Sequence, residues 1–183
     1  MDKYNIANVK TFEYTKIIGL ENIDFGKHII IDDFVLIYAK EKIKIGNYVH
    51  IASFTSISGS GKLIMEDFSG LASGCRIVTG TDDFKDSGFG NPTISDKFRN
   101  SKVGKINIGR FVIIGTNSVI LPNVTIGEGA TVSANSLITK DLEPWGTYIG
   151  NKRVGWRNKE EVLKNHEIFL NMSDKDKLGS LFQ

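Results

Sequence analysis

The chain has 183 residues, enough for one domain with a sizeable core and hardly for two. A net charge of +2 argues against a dedicated nucleic-acid or membrane-surface binder. The single cysteine, Cys75, excludes an internal disulfide framework and a cysteine-rich zinc site. The opening MDKYNIANVKTF has no apolar segment of signal-peptide type, and no run of 18 apolar residues follows. A cytoplasmic protein without an integral membrane segment is therefore expected. Glycine is frequent, at 19, and proline rare, at 3, as suits many short strands joined by tight turns.

Residues 1–16 read as a weakly patterned lead-in. A repeat then takes over. Ile31, Ile37, Ile45, Ile51, Ile57, Met65, Leu71 and Ile77 form one series, and Ile108 to Ile138 continue it in steps of six. Two of the earlier steps are eight residues long, Ile37 to Ile45 and Ile57 to Met65. Four residues after each of these positions stands a small or β-branched residue in nearly every case, such as Val35, Thr55, Ser69, Cys75, Ser118 or Ala130. Helical spacing cannot produce this period, and strand alternation does not select one position in six. The period predicts a triangular β-solenoid. One hexapeptide gives a short strand and a corner, three give a coil, and coils stack about 4.8 Å apart. The large aliphatic fills the core, and the small residue fits beside a corner. Cys75 falls in such a small slot and reads as core, where thiols are inert. Tyr48, Phe68 and Phe111 each follow an inward aliphatic by three residues, so they point outward in successive coils. Phe34 and Phe54 do the same on another face. Exposed aromatic ladders are apolar patches, so one of them is expected under a neighbouring subunit or a terminal segment.

The regular pattern breaks over residues 79–105, an insertion containing Phe84, Phe89 and Phe98. A loop of this length inside a compact domain is usually functional or disordered, and its aromatics argue for order. After the solenoid, Asn158 and Glu161 have a capping-box spacing ahead of a helix. Val162, Leu163, His166, Phe169 and Leu170 share one face of it. The tail MSDKDKLGSLFQ carries no clear pattern.

The repeats resemble those of the hexapeptide-repeat acyltransferases. The resemblance spans about residues 17–154 and is strongest in residues 108–151, IGRFVIIGTNSVILPNVTIGEGATVSANSLITKDLEPWGTYIGN. It implies an all-β left-handed parallel β-helix over 17–154, with the inserted loop 79–105, preceded by the lead-in 1–16 and followed by a C-terminal helix and tail over 155–183. It also implies a homotrimer that binds acetyl-CoA between neighbouring solenoids, with no metal. Many members carry a catalytic histidine in a segment like T-G-x-H-D-Y. The matching stretch here runs from Thr79 to Phe84 and has Asp82 at the histidine position. A carboxylate is ordinarily a weak base at neutral pH.

His50, at a corner, is then the histidine placed to act as base, with Asp82 or Asp83 of a neighbouring chain orienting it or gripping the acceptor. Positions matching the family's pantetheine-contacting turns are Gly115, Thr116, Ser133 and Ala134. The basic run Lys152, Arg153 and Arg157 offers charge for the CoA phosphates. Thr81-Asp82-Asp83-Phe84 with Asn91-Pro92-Thr93 resembles enzymes of O-antigen or capsule sugar synthesis. The resemblance therefore implies a sugar or nucleotide-sugar acceptor, and either an amine or a hydroxyl could receive the acetyl group. Two alternatives stand beside it: an acetyltransferase for another small molecule, such as an antibiotic, and a non-catalytic scaffold. A zinc enzyme of carbonic-anhydrase type would need three histidine ligands, and only His28 and His50 lie in or near the coils.

Overall fold

Each hexapeptide folds as a strand of two to four residues and a corner, and each strand lies in parallel register beside its counterpart in the next coil. The computed structural model describes residues 3–182. The first two residues of the lead-in and Gln183 of the tail lie outside them.

The strands form three flat sheets around one core. The first sheet has eight strands, in the order Val9–Thr11, Ile29–Ile31, His50–Ile51, Gly70–Leu71, Ile113–Ile114, Thr131–Val132, Gly146–Ile149 and Lys152–Trp156. The second has six strands and the third five. Parallel partners repeat along the stack: Ile31 pairs with Ile51, Leu71 with Ile114, and Ile114 with Val132. The early coils are thus 20 residues long (31 to 51) and the later ones 18 (114 to 132), which accounts for the two eight-residue steps. All fourteen residues of the six-residue series are buried, most of them completely. The small residues four later are buried as well, apart from Glu41 and Thr81. Cys75 is fully buried, and burial pushes its thiol pKa up, as befits an inert core group.

The solenoid starts earlier than the repeat suggests. Val9–Thr11, inside the stretch read as lead-in, already forms a strand paired with Ile29–Ile31. Val9, Thr11, Thr15 and Ile17 are all buried, so this first coil has a core of its own. It was hidden because two of its inward positions are threonines, and because a short 3-10 turn at Leu20–Asn22 interrupts the spacing.

Many corners sit in the left-handed region. His28, Tyr48, Phe68, Phe111 and Trp145 have φ between 56° and 64°, as do Phe34 and Phe54 elsewhere. Such a conformation costs a side-chain-bearing residue about 1–2 kcal/mol. Ring stacking offsets it. His28, Tyr48, Phe68 and Phe111 form one column with centroids 4.9–5.4 Å apart. The C-terminal helix Lys159–Leu170 closes over it: Phe169 meets Tyr48 and Phe68 edge-on, and His166 meets Phe68 and Phe111. Asn158 caps that helix by accepting from the Glu161 N–H at 3.1 Å. The expected cover for one ladder is therefore a terminal segment of the same chain. The second column, Tyr14, Phe34 and Phe54, stacks with rings within 4° of parallel and remains more than half exposed.

The two columns should respond differently to truncation. Phe68→Ala loses both stacking partners and both helix contacts, and should destabilise the protein by about 2–4 kcal/mol in chemical denaturation. Phe54→Asn removes one exposed ring and introduces a residue that tolerates the left-handed corner, so it should cost under about 1 kcal/mol. Equal losses would show that the helix contributes nothing to the first column.

Candidate functional site

The coil register decides which of the sequence-selected residues meet. His50 opens its strand in the first sheet with its side chain on the outer face. Its row runs through Gly70, Ile113, Thr131 and Thr147. Two residues further along, the strand ends of the next coils give Gly115 and Ser133. His50 and the pantetheine-type turns thus share one face of one sheet. Gly70 and Ala72 lie in the coil between them, so no large side chain stands in the way on that rung.

Gly115 has a structural reason of its own. A Cβ there would lie 2.5 Å from the Ala134 nitrogen, so the coils could not stack at this spacing with any other residue. Thr116 and Ala134 occupy exposed turn positions on successive coils. Their backbone N–H groups make no hydrogen bond among the described residues. Two free donors one coil apart suit an extended chain carrying amide carbonyls, which is the chemistry of a pantetheine arm.

His50 already has a partner within its own chain. Its Nε2 lies 3.1 Å from Oδ2 of Asp32, one coil earlier and two residues along from the paired Ile30. This contact holds the ring and leaves Nδ1 available. Asp32 carries no motif of its own in the sequence, although a coil length of 20 puts residue 30 beside residue 50 and makes Asp32 the diagonal neighbour.

Asp82 and Asp83 lie elsewhere, at the root of the inserted loop. The loop is tied at its base by an antiparallel pair, Gly80–Thr81 with Lys102–Val103, and contains one helical turn, Asp96–Arg99. Phe89 packs on Phe98 at 5.9 Å, whereas Phe84 stands out in solvent, 87% exposed. Arg99 grips Asp82 twice through Oδ1, from Nη2 at 2.8 Å and Nε at 3.1 Å, and uses Nη1 on Asp96 at 2.7 Å. These bonds to carboxylates raise the Arg99 pKa, so the guanidinium stays charged. Oδ2 of Asp82 accepts no hydrogen bond among the described residues. Asp82 and Arg99 line an open cleft of about 460 Å³ together with Tyr38, Lys40, Ser60 and Lys102.

Asp83 is turned back on its own loop. Oδ1 accepts from the N–H groups of Lys85 and Asp86, and Oδ2 from those of Ser87 and Gly88 and from Nδ2 of Asn100 at 2.6 Å. A carboxylate offers about four lone-pair sites, so this set uses its capacity. The N–H of Asp86, followed by those of Lys85 and Gly88, holds its pKa well below the usual carboxylate range. Asp83 therefore shapes the loop and has no capacity left for orienting His50 or gripping an acceptor.

The basic terminus also differs from its sequence reading. Arg157 donates from Nη1 to the carbonyls of Phe111 at 2.6 Å and Gly129 at 3.2 Å, locking the last coil. Its Nη1 is thus committed to the backbone. Arg153 pairs with Glu143 and stacks over Trp156, while Lys152 is exposed on the same strand. Among the described residues no group of three or more His, Cys, Asp or Glu is placed to hold a metal ion, and no helix is long and apolar enough to cross a membrane.

Residues 105–140 match the family described as bacterial transferase hexapeptide (six repeats). The chain is 33% identical over 165 residues to a dTDP-4-amino-4,6-dideoxy-D-glucose acyltransferase from Escherichia coli, covering 88% of this chain and 85% of the relative. A crystal structure of AntD, an N-acyltransferase from Bacillus cereus, in complex with dTDP and 3-hydroxybutyryl-CoA, superposes with a TM-score of 0.83 at 33% identity. The match covers 90% of this chain and 88% of that one. A maltose O-acetyltransferase from Clostridium difficile 630 shares the fold, with a TM-score of 0.62 at 22% identity over 76% of this chain and 72% of that one.

The Asp83 arrangement can be tested without substrate. Its folded pKa is depressed, so its contribution to loop order is present above the ordinary carboxylate value of about 3.9 and is lost as pH falls further toward the folded value. Asp83→Ala should speed amide exchange of residues 84–90 at neutral pH to the rate of the unstructured chain and leave global unfolding unchanged. Unaltered exchange in that segment would contradict the assignment.

Proposed function

This chain belongs to the hexapeptide-repeat acyltransferases, and from that membership we propose that it transfers an acetyl group from acetyl-CoA to the amine of a nucleotide-linked amino sugar. What carries the reading is the end-to-end likeness, 33% identity over 88% of the chain, to an enzyme named for acylating a dTDP-linked 4-amino sugar. Two surfaces of the chain support the reading. The outer face of the first sheet, with the free N–H groups of Thr116 and Ala134, suits the pantetheine arm. The cleft under the inserted loop, with its cationic side chains and the fixed Asp82 carboxylate, suits a nucleotide sugar.

Acetyl-CoA supplies an activated thioester. The amine nitrogen forms a bond to the carbonyl carbon, the C–S bond breaks, and the thiolate leaves as CoA. The chain's own residues hold the partners and move one proton. His50, steadied by Asp32, accepts the proton that the attacking amine gives up. Backbone N–H groups beside the turns stabilise the charge that builds on the carbonyl oxygen. Oδ2 of Asp82, with Oδ1 immobilised by Arg99, accepts a hydrogen bond from the acceptor's amine or a neighbouring hydroxyl.

Within one chain, Asp82 lies at the far end of the second sheet from the Thr116 and Ala134 turns. We place the complete site between two chains of a homotrimer, with His50 and the turns from one and the loop from its neighbour. A role in the cytoplasmic synthesis of O-antigen or capsule sugars fits such a substrate.

The choice of acceptor is directly testable. Given acetyl-CoA, the protein should release CoA with dTDP-4-amino-4,6-dideoxyglucose and not with the matching 4-hydroxy nucleotide sugar, because a hydroxyl at ordinary pH is a far weaker nucleophile than a neutral amine. Turnover of the hydroxy sugar alone would contradict the reading.

A further inference from the structure

The end of the chain, which carries no clear pattern in the sequence, lies as an ordered strap along the first aromatic column. His166 meets Phe111, Phe169 meets Tyr48, and Phe182 meets the His28 ring edge-on at 5.6 Å, so the segment descends the column toward the first coils. Ser173 caps one helical turn, Asp174–Lys177, by accepting from the Asp176 N–H, and the Phe182 N–H donates to the Gly179 carbonyl at 2.9 Å. Between this strap and the first sheet lies a cavity of about 180 Å³. Ile30, Leu178 and Phe182 give it an apolar lining, and His28, His50 and Lys177 complete its wall.

His50 stands between this cavity and the turns that suit a pantetheine arm. Ile51 pairs with Leu71, Leu71 with Ile114, and Ile114 with Val132. The row of Thr116 and Ala134 therefore runs through Ser53, three residues beyond His50. The cavity lies on the other side of His50, toward the corner at His28 and Tyr48. From the Thr116 turn to His50 is about 10 Å along the strand and about 10 Å along the stack, a diagonal that an extended pantetheine arm can span. A thioester that reaches His50 from the turns has the cavity directly ahead of its acyl chain.

We infer that this cavity is the seat of the acyl group, and that it takes a straight acyl chain of about four carbons as well as acetyl. The proposal rests on the reading of His50 as base and of Thr116 and Ala134 as the pantetheine turns. The base fixes where the reacting carbonyl lies, because the amine that gives it a proton is the one that attacks that carbon. The acyl chain then needs space adjoining the imidazole, and the cavity adjoins it. Size decides the class of acyl group. A dry apolar cavity of about 150 Å³ holds a benzene-sized group, so a lone methyl leaves most of this one unfilled. Leu178 and Phe182 bound it on the side away from the sheet, which makes the end of the chain the part that limits acyl length.

The experiment gives the intact chain dTDP-4-amino-4,6-dideoxyglucose with acetyl-, butyryl- or octanoyl-CoA and measures kcat/KM from CoA release. Butyryl-CoA should be used at least as well as acetyl-CoA, and octanoyl-CoA about tenfold or more less well. Ile30→Phe fills the cavity from the sheet and should lower the butyryl-to-acetyl ratio by about tenfold or more. Phe182→Ala opens the opposite wall and should raise the octanoyl-to-acetyl ratio by a similar factor. The chain-length order of the unchanged protein tests the seat even where a variant fails to fold. If the unchanged protein strongly prefers acetyl-CoA to butyryl-CoA, or if Ile30→Phe slows all three alike, the seat is wrong and the acyltransferase reading survives. If none of the three thioesters transfers its acyl group to the amino sugar, both fall.

Discussion

Parallel hydrogen bonding between coils forces residues one coil apart into columns spaced about 4.8 Å. Whatever occupies a column must be able to live at that spacing. Aliphatics do so in the core, where Ile31, Ile51, Leu71, Ile114 and Val132 lie in one buried row. Flat rings do so at the corners, where His28, Tyr48, Phe68 and Phe111 stack. Glycine is required where two backbones close on each other, as Gly115 does on Ala134. The same spacing sets the outer surface, and it places His50, its partner Asp32 and the free N–H groups of Thr116 and Ala134 on one face.

The corners show how opposing terms of similar size are arranged. A left-handed φ at an aromatic residue costs about 1–2 kcal/mol, and one stacked pair returns about 0.5–1.5 kcal/mol. Stacking alone roughly balances the strain, so a column gains clear stability only where something covers it. The C-terminal helix does this for the first column through His166 and Phe169. Among the described residues nothing does it for Tyr14, Phe34 and Phe54, which lie at the corner between the first two sheets and remain more than half exposed. Later coils use Gly74, Asn117 and Asn135 at that same corner, and Asn123 at another, glycine and asparagine being the residues best suited to that conformation.

Most of this architecture could be read from the chain because period six is a consequence of packing: each coil must supply its three inward aliphatics in order. The ladders were legible for the same reason, being fixed offsets from those aliphatics. The first coil was not, because Thr11 and Thr15 fill core positions, Thr15 donating across to the Ile31 and Asp32 carbonyls of the next coil. The site was legible only in part. The residue types at 50 and 82 stood out, but their partners depend on through-space register. Asp32 reaches His50 across a coil, and Arg99 reaches Asp82 across a loop whose path no period dictates. Asp83 differs from its sequence expectation for a similar reason: an acidic residue that binds a ligand and one that organises a turn look alike until the N–H groups around it are known.

The proposed site draws on two chains, His50 with the Thr116 and Ala134 turns from one and Asp82 from the other. The most direct measurement is complementation between His50→Ala and Asp82→Asn, each differently tagged, co-expressed and purified through both tags. Each variant alone should lose most of its amino-sugar acetylation. Doubly tagged mixed assemblies should recover a substantial fraction, because some interfaces then pair an intact His50 with an intact Asp82. Mixed assemblies as inactive as the separate variants would contradict the claim and return the whole site to a single chain.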